Sequence, residues 1–270
     1  MNREEGGEMW TWKTKKDAIG TIVVVHGANE HHGRYDWVIK QLNEAGLHCV
    51  SGDLPGQGTT TRRRGHIDAF DDYIQTIEKW YLEAEKLGLP VYILGHSMGG
   101  LAVIRTLMEK RLSVKAVILS SPCLGLVHYP SKGKEAVSVL LNKLAPSVRL
   151  ATNLPEGSAT RNEEIRIRDR EDKLIVKKVS VRWYRELIGS IKHVFDHYKD
   201  FPNVPLMLLQ AGDDRIVDKM KVMQWFNAVQ LQEKWYKEFP SLYHEVLNEP
   251  ERDHVFNYVK KFLFLHSEVD

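Results

Sequence analysis

Five short runs of apolar and β-branched residues punctuate the chain: TIVVV (21–25), LHCV (47–50), VYIL (91–94), VKAVIL (114–119) and VPLMLLQ (204–210). They are nearly continuous rather than alternating, which is the pattern of strands covered on both faces, so they predict a parallel sheet. Between them, Phe70, Tyr73, Ile74, Ile77, Trp80, Tyr81, Ala84 and Leu87 recur at helical spacing and stop at Gly88 and Pro90. A shorter helical pattern runs from Trp37 through Ile39 and Leu42 to Ala45 and ends at Gly46. Alternation of strand and helix defines the class as α/β, a mostly parallel central sheet flanked by helices.

The rhythm stops between Leu124 and Lys199, where charged, helical sequence such as EEIRIRDREDKL takes over, and strand-like sequence resumes at Val204. An interruption followed by the same pattern reads as an insertion into one sheet. The expected organisation is a core of residues 1–123 and 199–270, with a helical cap, 124–198, over the crevice at the carboxyl ends of the strands. KWYKEF (234–239) is the last strand candidate. A closing amphipathic helix follows over Arg252–Leu265, with Val255, Tyr258, Val259, Phe262 and Leu263 on one face.

At 270 residues, with 43% hydrophobic and 27% charged, the chain can bury one large core. A net charge of +2 gives no field suited to nucleic acid, and the basic run Arg62, Arg63 and Arg64 reads as a solvated loop. Cys49 and Cys123 each adjoin an apolar run and read as buried free thiols of a reducing compartment. The start, MNREEGGEMWTWK, lacks the basic and apolar segments of a secretion signal, and no apolar run approaches the roughly 18 residues of a spanning helix. The expectation is a cytoplasmic protein whose membrane contact is peripheral, through the cap, at the inner face. Nothing in the sequence sets an oligomeric state.

The chemistry concentrates around LGHSMGGL (94–101). A Gly-x-Ser-x-Gly pattern alone is weak, but here a buried strand precedes it and a helical pattern, LAVIRTLMEK, follows, which is the setting of a serine on a strained strand-to-helix turn. Gly95 and Gly99 would let neighbouring backbone approach. A serine nucleophile, Ser97, needs a base oriented by an acid, in the chain order Ser, acid, His. After VPLMLLQ the acids are Asp213, Asp214 and Asp218. Position favours Asp214, with Asp213 in reserve, against the plain reading of a Gly-Asp-Asp turn. Of the late histidines, His254 and His266 belong to the terminal helix and read as surface residues, whereas His244 lies in a loop and is the candidate base. Met98 and Ala28 are the candidate backbone oxyanion donors. His26, His31 and His32 cluster near Ala28, but no carboxylate or cysteine stands at zinc-like spacing, so no metal is expected; His26 reads as shaping the oxyanion loop. The proposed chemistry needs no cofactor.

These pieces, VVHGANEHHGRY, GDLPGQG, GLPVYILGHSMGGLA, LLQAGDDRIVD and YHEVLNE, resemble in content and order the serine α/β-hydrolases close to monoacylglycerol lipases and bacterial lysophospholipase-like proteins. The resemblance covers about Ile22 to Asn248 outside the cap. It implies the α/β-hydrolase fold, with Ser97 as nucleophile, Asp214 as orienting acid, His244 as base and the amides of Ala28 and Met98 as the oxyanion hole. The implied substrate is a monoacylglycerol or lysophospholipid. The single His-Gly-Ala at 26–28 is the pattern of the monoacyl-lipid group, while Thr59 and Thr60 stand where the family usually has a serine. Leu124, Leu126, Val137, Val139, Leu140, Leu141 and Leu144 offer an acyl tunnel, a bilayer contact, or simply the packing face of cap helices. The rival readings are a small-ester carboxylesterase, a non-catalytic lipid-binding homologue, and an aminopeptidase-like hydrolase. In the last, Glu163, Glu164, Asp169, Glu171 and Asp172 would capture a peptide amine, although Arg166, Arg168 and Arg170 interleave with them.

Overall fold

The computed structural model describes residues 9–60, 63–152 and 157–267. Along the chain the elements run β1 (Met9–Trp12), β2 (Gly20–Val25), α1 (Asp36–Glu44), β3 (Leu47–Gly52), α2 (Asp71–Glu85), β4 (Val91–His96), α3 (Met98–Glu109) and β5 (Ala116–Ser120). Then come α4 (Lys132–Leu144), β6 (Arg149–Ala151), α5 (Glu163–Glu171), β7 (Lys178–Ser180), α6 (Val181–Asp196), β8 (Leu206–Ala211), α7 (Lys219–Ala228), β9 (Lys234–Phe239) and α8 (Arg252–Leu265). Seven strands form one sheet in the order β1-β3-β2-β4-β5-β8-β9. Every neighbouring pair is parallel except β1 with β3.

The continuous apolar runs have a simple cause. Along β2, Val23 and Val25 face one buried cluster with α2 and α3, while Ile22 and Val24 face a second with α1 and α8. Neither face of the strand meets water, and full burial of each such side chain is worth about 2 kcal/mol. The chain reverses its direction of winding at β2, which lies between β3 and β4, and in such sheets the crevice at the strands' carboxyl ends is where ligands bind. Val25 is in register with Gly95, so the loops leaving β2 and β4 emerge side by side.

Two features depart from the sequence expectation. Met9–Trp12 forms an antiparallel edge strand on β3, with Trp12 opposite Cys49, so the sheet is mixed. A four-residue strand with partly buried side chains shows neither a continuous apolar run nor a clear alternation. Second, the stretch between β5 and β8, expected to be helical, also contains β6 and β7, which pair as a two-stranded antiparallel ribbon. Strands of three residues are too short to leave a period.

Arg62, and the start MNREEGGE, lie outside the described residues. Arg63 pairs with Asp68, and Arg64 donates to the carbonyls of Gly58, Lys173 and Leu174. The described part of the basic run is therefore engaged rather than merely solvated. Both cysteines are buried and free. Among the described residues no helix is long and apolar enough to cross a membrane.

Candidate active site

One residue, Ser97, makes the turn between β4 and α3, with φ 52° and ψ −122°. A residue with a side chain held there stores about 1–3 kcal/mol of strain, and such strain persists only where the surroundings enforce it. They do so here. The Ser97 amide donates to the Ser120 carbonyl at 3.0 Å, and its carbonyl accepts from the amides of Cys123 and Leu101. The two flanking glycines are required by close approach: a Cβ on Gly99 would lie 2.3 Å from the His26 carbonyl oxygen, and one on Gly95 would lie 2.9 Å from Gly100 Cα.

His244 sits in the loop between β9 and α8, almost fully buried. Its Nδ1 is 2.9 Å from Asp214 Oδ2 and its Nε2 is 2.8 Å from Ser97 Oγ. A carboxylate only accepts, so Nδ1 carries the proton and Nε2 is left to accept from the serine hydroxyl. The fold thus brings together three groups separated by 147 and 30 residues.

The three aspartates after β8 take three different places. The Asp214 side chain is 0% exposed, and its Oδ1 also accepts from the amides of Ile216 and Val217. Asp213 is 49% exposed and pairs with Arg215, while Asp218 caps α7 by accepting from Met220 N. Burial works to raise the Asp214 pKa, but the charge and hydrogen bond of His244 and the two amides hold it below the usual carboxylate range. For His244, burial favours the neutral form, and the Asp214 charge and hydrogen bond more than offset this, so its pKa is raised.

Met98 opens α3, where the first-turn amides have no partner inside the helix. Ala28 lies in the loop beside it, after β2. His26 braces that loop: its Nε2 accepts from Leu54 N at 2.9 Å, and its Nδ1 donates to the Gly27 carbonyl at 2.8 Å. His254 is exposed on α8, with its ring edge against Phe239 and Tyr258, and the His266 ring packs on Phe262.

The fold supplies what sequence spacing did not offer to His31 and His32. Asp53, at the end of β3, stands with them so that one ligand atom from each lies within 4.8 Å of the others. These atoms are engaged with one another and with neighbours. Asp53 Oδ1 accepts from His32 N and Nδ1, and Oδ2 accepts from Thr59 N and Oγ1. Thr59, one of the two threonines that stand where a serine is usual, is thereby tied to Asp53 through both its amide and its hydroxyl. His31 bonds Asp172 through Nε2 and accepts from Gly33 N through Nδ1.

Four polar residues of the site were not foreseen. His96 lies 4.8 Å from the His244 ring, centroid to centroid, with Nδ1 on the Ser120 carbonyl. Burial, and then His244 beside it, push its pKa down to about 4, so it stands neutral beside His244. Glu30, Arg34 and Glu245 form a buried ionic group next to the loop after β2 and His244. The only local signal for it was the Glu30–Arg34 spacing of four residues. The acids considered for capturing a peptide amine are partly committed elsewhere: Glu163 to Arg166 and Arg170, Asp169 to Arg34, and Asp172 to His31. Of the apolar residues offered for an acyl tunnel or bilayer, Leu124 is fully buried, while Val137, Val139, Leu140 and Leu144 are exposed.

A mostly parallel sheet carrying a strained serine at the strand-to-helix turn after β4 is the α/β-hydrolase fold, and the chain belongs to the hydrolase family described as serine aminopeptidase, S33, matched over residues 16–251. It is 48% identical over 255 residues to Phospholipase YtpA of Bacillus subtilis (strain 168), covering 94% of this chain and 98% of that one. It is 28% identical to the monoacylglycerol lipase of Mycolicibacterium smegmatis, covering 94% and 91%. The crystal structure of Paleococcus ferrophilus monoacylglycerol lipase superposes with a TM-score of 0.86 at 27% identity, covering 96% of this chain and all of the other. The resemblance read from the sequence is borne out.

Proposed function

We propose that the protein hydrolyses carboxylic esters bearing one acyl chain, a monoacylglycerol or a lysophospholipid, through an acyl-enzyme intermediate. The observation that carries this reading is the hydrogen-bonded series Ser97, His244 and Asp214 at 2.8 and 2.9 Å, with the serine on a strained turn. Relatives named as a phospholipase and as monoacylglycerol lipases support the substrate class. In this reading Ser97 Oγ attacks the ester carbonyl while His244 Nε2 takes its proton. The amides of Ala28 and Met98 bind the oxyanion. His244 then protonates the departing alcohol, and a water activated by the same nitrogen releases the fatty acid. Residues 124–198 act as the cap over the crevice.

The test is turnover of one acyl chain presented as monoacylglycerol, lysophosphatidylcholine and p-nitrophenyl ester. Cleavage of either lipid at rates above those on a two-carbon p-nitrophenyl ester is the expected result. Hydrolysis confined to short esters would remove the lipid and leave the mechanism.

The reading extends to peripheral membrane contact. Val137, Leu140 and Leu144 follow one another at helical spacing on α4 and are 55%, 57% and 74% exposed. Seating two leucines in the acyl region of a bilayer is worth roughly 2 kcal/mol each. Leu140→Asp with Leu144→Asp is therefore expected to weaken co-sedimentation with liposomes by about tenfold or more. Unchanged sedimentation of the double variant would assign this face to something other than lipid.

A further inference from the structure

Arg34 lies at the start of α1's approach, its side chain only 4% exposed, and is surrounded by three carboxylates. Its five N–H donors are all used. Nη1 and Nη2 make a fork to Glu245 at 2.9 Å each, Nη1 also meets Glu30, and Nε with Nη2 makes a second fork to Asp169. These acids belong to three different parts of the chain. Glu30 sits in the oxyanion loop, where its carboxylate also accepts from Gly27 N and Tyr35 Oη. Glu245 follows His244. Asp169 is on α5, between β5 and β8.

The charge balance makes this more than packing. One guanidinium faces three carboxylates, and two of them are tightly tied: Glu30, against the penalty of burial, is held down at about 2 by Arg34 first and the nearby histidines next, and Glu245 is likewise held low by Arg34. A guanidinium is planar, so the fork to Asp169 fixes the plane in which the other fork must lie. Without Asp169 two donors lose their acceptor, and the plane that aligns Glu30 with Glu245 is no longer set.

A second set of contacts runs in the same sense. Glu245 N donates to the Ala159 carbonyl at 2.9 Å, and Thr160 Oγ1 and Arg161 Nε bond the fully buried Glu249, which also accepts from Tyr243 N. Residues 159–172 therefore touch both the loop that carries Ala28 and the loop that carries His244.

We propose that Asp169 is a positioning residue: through Arg34 it couples the seating of α5 to the alignment of the oxyanion loop with the His244 loop, so that the site is fully assembled only when α5 is docked. This rests on the roles given above to Ser97, His244, Ala28 and Met98. The chemical consequence falls on the transition state, because a misaligned base and oxyanion hole slow attack without loosening the binding of a small ester.

The experiment is steady-state kinetics on p-nitrophenyl acetate for wild type, Asp169→Asn, Glu163→Gln and Ser97→Ala, expressed per active site titrated with a fluorophosphonate for the three proteins that keep Ser97 and per mole of folded protein for Ser97→Ala. Asparagine keeps the shape of the side chain but loses one acceptor and the charge. Asp169→Asn is expected to lower kcat by about tenfold with KM within about twofold, and Glu163→Gln, exposed on the same helix, to match wild type. Wild-type kcat in Asp169→Asn, a change confined to KM, or an equal fall in Glu163→Gln would overturn the proposal. Should Asp169→Asn fail to fold, Asp169→Ser is read by the same criteria. If Ser97→Ala is inactive while Asp169→Asn is unaffected, only the coupling falls; if Ser97→Ala keeps turnover, the functional reading falls and takes the coupling with it.

Discussion

Ser97→Ala is expected to lower kcat by about ten-thousandfold or more on every ester the wild type cleaves, with little change in fold. The size follows from the role: removing the nucleophile ends the covalent route, and what remains is the residual catalysis of the oxyanion donors and of substrate binding. Stability should hold or rise slightly, because among the described residues the hydroxyl's hydrogen bond is to His244 Nε2 and the φ of 52° is no harder for alanine than for serine. Two measurements check it together. Turnover should vanish, and intact-mass analysis after fluorophosphonate treatment should show one adduct on wild type and none on the variant. A variant that still turns over at more than about one hundredth of the wild-type rate would remove Ser97 from the mechanism.

How far the sequence reveals the molecule depends on the distance over which each signal acts. The turn at Ser97 was legible because its cause is local: the strand, the two glycines that clear backbone, and the helix all lie within about twenty residues. Strands covered on both faces were legible for the same reason, since burial writes itself into each position of β2, β4, β5 and β8. The edge strand β1 was not, because an edge needs neither a continuous apolar run nor a long one, and Trp10 instead spends its ring on His32, stacked at 3.7 Å. Asp213 and Asp214 are the same residue type side by side, so the sequence could favour Asp214 only by position; burial, the His244 bond and the amides of Ile216 and Val217 set it apart from the exposed Asp213. The ionic group around Arg34 was illegible for a different reason. Its partners Asp169 and Glu245 are 135 and 211 residues away, and a charge placed in helical, mixed-charge sequence gives no sign that it will face inward. The same applies to Asp53 and the paired histidines, where the fold supplied the carboxylate that spacing could not.

Asp214→Asn is expected to act on both rate and pH dependence, and the two effects have one cause. With His244 as the base, its raised pKa is expected to put the acid limb of kcat/KM at a higher pH than an ordinary histidine would, because the base works only when neutral. Activity is then expected to be lost as pH falls through that raised pKa. Burial alone would push His244 the other way, and the Asp214 charge and hydrogen bond are the largest influences opposing it. Removing the charge should move the limb to lower pH, while Glu245 and Glu30 keep part of the upward pull. The rate at the plateau should nevertheless fall by about ten-thousandfold, since an asparagine amide can donate to Nδ1 and so leave Nε2 protonated, unable to accept from Ser97. A pH–rate profile on a p-nitrophenyl ester reads both quantities. A variant whose acid limb stays where the wild type has it would mean that Asp214 does not set the protonation of His244, and the orienting carboxylate would have to be sought elsewhere among the buried acids.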